Sequence, residues 1–180
     1  SSWLNGNIGS VNDVSARITE TLVAMESIMD SFAASINNME KAIEQYKNSM
    51  QQLESTTGST ENGLDTIYPA LDEMKKALEN TGDSVDMISD ALASLKKGLG
   101  DSSAVEKALL HMHKGMTELI TATGKISDTA KILLDASDIL VNSEVLQENA
   151  AVLREGASEL VTAENEMADA ILKIKNALNT

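Results

Sequence analysis

Residues 71–99 read LDEMKKALENTGDSVDMISDALASLKKGL. Leu71, Leu78, Val85, Leu92 and Leu99 stand seven apart, with Met74, Thr81, Ile88 and Leu95 at the intervening positions. A seven-residue apolar period keeps one seam of an α-helix against a partner and winds the pair left-handedly. The ladder extends back to Leu64 and Ile67, where Asn62 is a candidate cap. Pro69 falls in the first two turns and is expected to kink the helix or delay its start. Lys96 and Lys97 suit a helix C-terminus, and Gly98 and Gly100 end it.

The same period lies on both sides. Upstream the ladder is Val11, Ile18, Met25, Phe32, Met39, Tyr46 and Leu53, paired with Ser15, Leu22, Met29, Ile36, Ile43 and Met50. Ser10 with Asp13 reads as its cap and acidic first turn, and Thr56–Thr60 is a turn-forming cluster. Downstream, Ser103 and Glu106 form a capping box. Val105, Met112, Leu119, Ile126, Leu133 and Leu140 follow, paired with Leu109, Met116, Thr123, Ala130 and Ser137. The phase then breaks, because Leu140 to Leu146 is six residues. Asn142-Ser143 can cap a new helix there, giving a tight reversal; a kinked continuous helix is the alternative. The fourth ladder is Leu146, Leu153, Leu160, Met167 and Ile174.

These segments predict an all-α, elongated, antiparallel four-helix bundle or coiled coil in one domain, 1–180. The helices should span about 10–55, 62–98, 103–141 and 144–178, running up-down-up-down. Small residues beside the third and fourth seams (Gly115, Ala122, Ala136, Ala150, Gly156, Ala163, Ala170, Ala177) predict that those two helices form a tightly packed pair.

Composition narrows the function. The chain has 180 residues, no cysteine and one proline, so disulfides and thiolate chemistry are excluded. Aromatics make up only 2 % of the chain, so the core is aliphatic and rich in methionine. With 28 acidic and 14 basic residues the net charge is −14, which disfavours nucleic acid and anionic lipid. No apolar run is long enough to span a bilayer, and no signal peptide is visible. The methionines at seam positions read as core filling, with an adaptable groove as the alternative.

The seam has polar lapses. Reflected through the turns, Thr81, Thr123 and Glu164 fall near mid-height, with Ser35 flanking. This candidate polar layer would set helix register, hold water or a small ligand, or permit bending. Thr81-Gly82 and Thr123-Gly124 each carry a mid-helix glycine, which costs about 1 kcal/mol against alanine. His111 and His113 are two apart and point to different helix faces, which does not suit a metal. The carboxylates fall mainly on solvent faces, and a narrow bundle gives little volume for an acid–base pair. No phosphate loop or nucleophile elbow is present. No enzyme activity, cofactor or metal is expected.

Leu95-Lys96-Lys97-Gly98, the run Met112-His113-Lys114-Gly115 to Leu119 and the run Leu153-Arg154-Glu155-Gly156 to Leu160 share a spacing, an apolar seam residue followed three later by glycine. This pattern, mainly over residues 85–178, resembles the heptad-rich extracellular segments of the YhgE/phage-infection-protein family. Similar stretches occur in the outer loops of Gram-positive MMPL-type exporters and in a membrane component of type VII secretion. The resemblance implies a helical domain outside a bacterial cell, between membrane spans, tied to export or secretion and open to phage. It carries over no catalytic residue.

The expected function is therefore a non-enzymatic spacer or docking rod for protein partners, such as envelope or secretion components or phage. A distal tip would form from Gly58, Ser59, Asn62, Asn142 and Ser143. A ligand-sensing four-helix domain of a chemoreceptor or histidine kinase is the first alternative, with the mid-height layer as its site. An adhesin-like or structural coiled coil is the second. Two helical hairpins can also pair between chains, so a homodimer stands beside the monomer.

Overall fold

The computed structural model describes residues 2–57, 61–140 and 144–179, with side chains described in 14–55, 65–140 and 144–179. Four helices follow one another: α1 (Ser2–Thr57), α2 (Glu61–Gly98), α3 (Ser102–Ile139) and α4 (Glu144–Leu178). Each packs against the helix before and after it, and α1 also packs against α4, so the four form a closed ring. No strand occurs among the described residues. The fold is an antiparallel four-helix bundle.

The ladders form its core. Ile18, Met25, Phe32, Met39 and Tyr46 are buried on α1, as are Leu71, Leu78, Val85 and Leu92 on α2. Met112, Leu119, Ile126 and Leu133 line α3, and Leu146, Leu153, Leu160, Met167 and Ile174 line α4, all within one continuous cluster. Burying each large aliphatic side chain is worth about 1.5–3 kcal/mol, so these rows supply most of the drive to associate.

Helix boundaries differ from expectation in three places. α1 begins at Ser2, so Ser10 lies inside the helix and does not cap it. α2 begins at Glu61, which puts Asn62 in its first turn, and it runs on through Pro69. The cap of α3 is Asp101, not Ser103: the Asp101 carboxylate accepts from Ser103 N at 3.1 Å and Ala104 N at 3.3 Å. Asp101 sits two residues ahead of Ser103, so its oxygen reaches the free N–H groups of the first turn first. Asp101 N donates to Gly98 O at 2.9 Å, and Gly100 takes a φ of +100°, where a side chain would be strained. α3 ends on Leu140 as C-cap and packs against α4, so the chain reverses there.

The close pairs also differ from expectation. The most extensive packing joins α2 to α3, then α1 to α4; α3 and α4 are less closely packed. Two stripes of small residues explain this. Ala70, Ala77, Ser84 and Ala91 are buried on α2, with Gly98 at the next sevenfold step. α3 carries a matching buried row, Ala108, Gly115, Ala122, Thr129 and Ala136. A Cβ on Gly115 would lie 2.8 Å from Ile88 Cγ1 and 3.4 Å from Ser84 O, so Gly115 seats directly on α2. Gly156 of α4 likewise seats on Met39 of α1. The rows of Gly115 on α3 and of Gly156 on α4 therefore serve α2 and α1, whereas Ala150 shares the row of Glu164, which reaches α3.

Candidate polar layer and surface grooves

A hydroxyl in an aliphatic seam must find an acceptor, since burying it unpaired costs free energy. Thr81 is fully buried and donates to Ala77 O at 2.7 Å. Thr123 is 1 % exposed, and its hydroxyl lies 3.0 Å from Leu119 O and 3.2 Å from Ile120 O. It also donates to Oε2 of Glu164, which is half-buried on α4. Two residues of the expected layer, Thr123 and Glu164, are thus joined across the α3–α4 interface. Thr81 answers to its own helix instead, and Ser35 is half-buried on α1.

Counting from the close approach of Gly98 to Ala104, Thr81 lies 17 residues before Gly98 and Thr123 lies 19 after Ala104 (98 − 81; 123 − 104). At 1.5 Å per residue the two are level to about 3 Å.

Sequence reasoning missed a second polar level. Tyr46 on α1 is fully buried and reaches across the bundle diagonal to Ser137 on α3. Ser137 donates to Leu133 O at 2.6 Å, so Tyr46 supplies the proton between the two hydroxyls. Burial raises the Tyr46 phenol pKa, and the Ser137 hydroxyl offsets part of the rise. The available signal was that Tyr46 and Ser137 are both polar and both on seam positions. Nearby, Asn149 Nδ2 donates to Ser49 Oγ at 2.8 Å between α4 and α1. Tyr68 on α2 has its pKa raised to about 12 by burial, then by its hydrogen bond to Glu54 and that carboxylate's charge.

The surface carries open grooves. One of about 550 Å³ runs along α2 and α3, lined by Glu73, Lys76, Asp83, Glu118 and Lys125 among others. A second of about 800 Å³ lies between α1 and α4, with Arg17, Glu20, Asp169 and Lys173 on its walls. A third of about 540 Å³ lies between α3 and α4 beside Lys131, Asp135 and Arg154. None of the three is lined by Thr81, Thr123 or Glu164.

His111 and His113 are both exposed, and no group of three or more potential metal ligands occurs among the described residues. No helix in that part of the chain is long and apolar enough to cross a membrane. Of the expected tip, Gly58, Ser59, Asn142 and Ser143 lie outside the described residues. Large apolar side chains are exposed beside the α3–α4 turn, Ile139 at 79 % and Val145 at 57 %. No family model matches the chain, and no curated protein or solved structure does either.

Proposed function

We infer that the chain is a non-enzymatic rod that spaces or docks protein partners, as an extracellular domain of a bacterial membrane protein linked to export or secretion. The observation that carries this reading is where the polar groups go. Of the buried threonines and serines among the described residues, Thr81, Ser84, Thr129 and Ser137 donate to carbonyls of their own helices, and Thr123 donates to Glu164 of α4. Those hydroxyls are already engaged, and what remains for a partner is the outside of the rod. The acidic surface and the glycine-spaced seams support the export setting.

The α3–α4 turn lies at the end of the rod opposite the Gly98–Asp101 turn. With Ile139 and Val145 exposed beside it, this is the end expected to meet a partner. A photo-crosslinking residue at Ile139 or Val145, in the protein expressed in its native cells, should give a discrete protein adduct. The same residue at Leu110, near the other end, should not. Equal labelling at both ends, or none at the tip, overturns the docking-tip reading.

The Thr123–Glu164 pair favours one second reading, a sensor with its ligand between α3 and α4. A metabolite thermal shift that is lost in Thr123→Val would establish it in place of the rod.

A further inference from the structure

We propose that the rod flexes at mid-height, with α2 and α3 bending together against a stiffer α1–α4 pair. Two glycines carry the argument. A Cβ added to Gly98, Gly115 or Gly156 would come within 2.8, 2.8 and 2.7 Å of a neighbouring atom, so close packing accounts for those three. A Cβ on Gly82 or Gly124 would meet nothing within 4 Å. Packing does not ask for glycine at either place, yet each weakens its helix about fivefold relative to alanine.

The two weak points lie about one helical turn apart along the rod. Gly82 lies 16 residues before Gly98, and Gly124 lies 20 after Ala104 (98 − 82; 124 − 104), a difference of one helical turn. Each follows a core threonine whose hydroxyl lies against carbonyls of its own helix: Thr81 donates to Ala77 O, and the Thr123 hydroxyl sits 3.0 Å from Leu119 O and 3.2 Å from Ile120 O. Such a hydroxyl competes with the backbone N–H for the same carbonyl and bends helices.

The core is also thin at this level. On its row Thr81 stands between the fully buried Met74 and Ile88, and on α3 Thr123 is followed at the next sevenfold step by the small Ala130. On the other pair, α1 carries the buried Phe32 nearby, and the one glycine described on α4, Gly156, seats on Met39. Compliance is therefore concentrated on the α2–α3 side.

Hydrogen exchange on the whole chain tests this. Amides of residues 82–86 and 124–128 should exchange at least about tenfold faster than those of 89–93 and 115–119, because local opening follows local stability. The double variant Gly82→Ala/Gly124→Ala has room for both methyl groups and should slow the mid-height amides about fivefold in each helix. Ser94→Ala, exposed in a flanking turn, is the control and should leave the ratio between levels unchanged. Mid-height amides as protected as their neighbours would overturn the proposal. So would a double variant that slows every level alike.

Discussion

Thr123 and Glu164 are bound to each other's fate. With the Thr123 hydroxyl present, the half-buried carboxylate has a donor from across the interface. Thr123→Val keeps the shape and removes that donor, and should destabilise the fold by about 1 kcal/mol in urea unfolding. Adding Glu164→Leu removes the polar group that was left wanting and places an aliphatic side chain on a seam position. Replacing both partners by apolar groups is commonly neutral or better, so the double variant should regain at least the parent stability. A double variant less stable than Thr123→Val alone would show that Glu164 has a stabilising partner besides Thr123.

Tyr46 makes a prediction about pH. Its pKa is raised above the ordinary 10.0, so the folded state favours the neutral phenol. Below pH 10 the phenol is neutral in both states and its contribution is fully present. Above pH 10 the unfolded chain loses the proton first, and stability falls as pH rises toward the folded value. Tyr68 acts in the same direction, up to about 12. Chemical unfolding from pH 8 upward should therefore show a constant gap between the parent and Tyr46→Phe until about pH 10 and a narrowing gap beyond it. A gap that widens with pH would contradict the burial argument.

At the scale of the helix, the glycines of α3 and α4 separate two kinds of close approach. Gly115→Ala drives its methyl group into the Ile88 side chain at 2.8 Å and toward Ser84 O and Ile88 N at 3.4 Å. Ile88 is branched, fully buried and held by its own helix, so the pair must part, at about 1–3 kcal/mol. Gly156→Ala meets only the side chain of Met39, at 2.7 Å from Cγ and 3.1 Å from Sδ. Methionine is unbranched and turns aside, and alanine is the better helix former, so this variant should lie within about 1 kcal/mol of the parent. Thermal unfolding of the two variants side by side checks the contrast.

These glycines also mark how far the sequence could be read. The seven-residue ladders specify four helices and their inward faces, since periodicity alone determines which side of a helix is apolar. They do not say which helix lies on the left of a seam and which on the right. Ala163, Ala170 and Ala177 signalled a close approach, but the natural assignment to the neighbouring α3 fails. Their partner is α1, more than a hundred residues earlier in the chain. The decisive clue was on α2, where Ala70, Ala77, Ser84, Ala91 and Gly98 repeat the period one step before the leucines. Small residues are silent in a hydrophobicity pattern, so the stripe shows only when both partners are compared. In the polar layer, Thr123 and Glu164 were legible because a hydroxyl and a carboxylate interrupt an aliphatic ladder. The Tyr46–Ser137 contact was not, because tyrosine passes for a core aromatic and the contact crosses the bundle diagonal.

At the scale of the molecule, two close pairs joined through broader aliphatic layers give a rod whose length follows from its helices. The 38 residues of α2 or α3 measure about 57 Å at 1.5 Å per residue, and the 56 of α1 about 84 Å. This narrow body carries a net charge of −14. The core rows are mainly aliphatic, so the exposed carboxylates form a thin outer shell and repel along the rod. At about 0.01 M salt the screening length is near 30 Å, about half the length of α2, whereas at about 0.15 M it falls to roughly 8 Å. Repulsion between distant turns is then removed, while the buried layers are untouched. Sodium chloride should accordingly raise the thermal midpoint by a few degrees over that range, since about 1 kcal/mol shifts a chain of this size by about 2–4 °C. A midpoint that falls with added salt would mean that attractive ion pairs outweigh the net charge, and the rod would then owe part of its stiffness to its surface as well as to its seams.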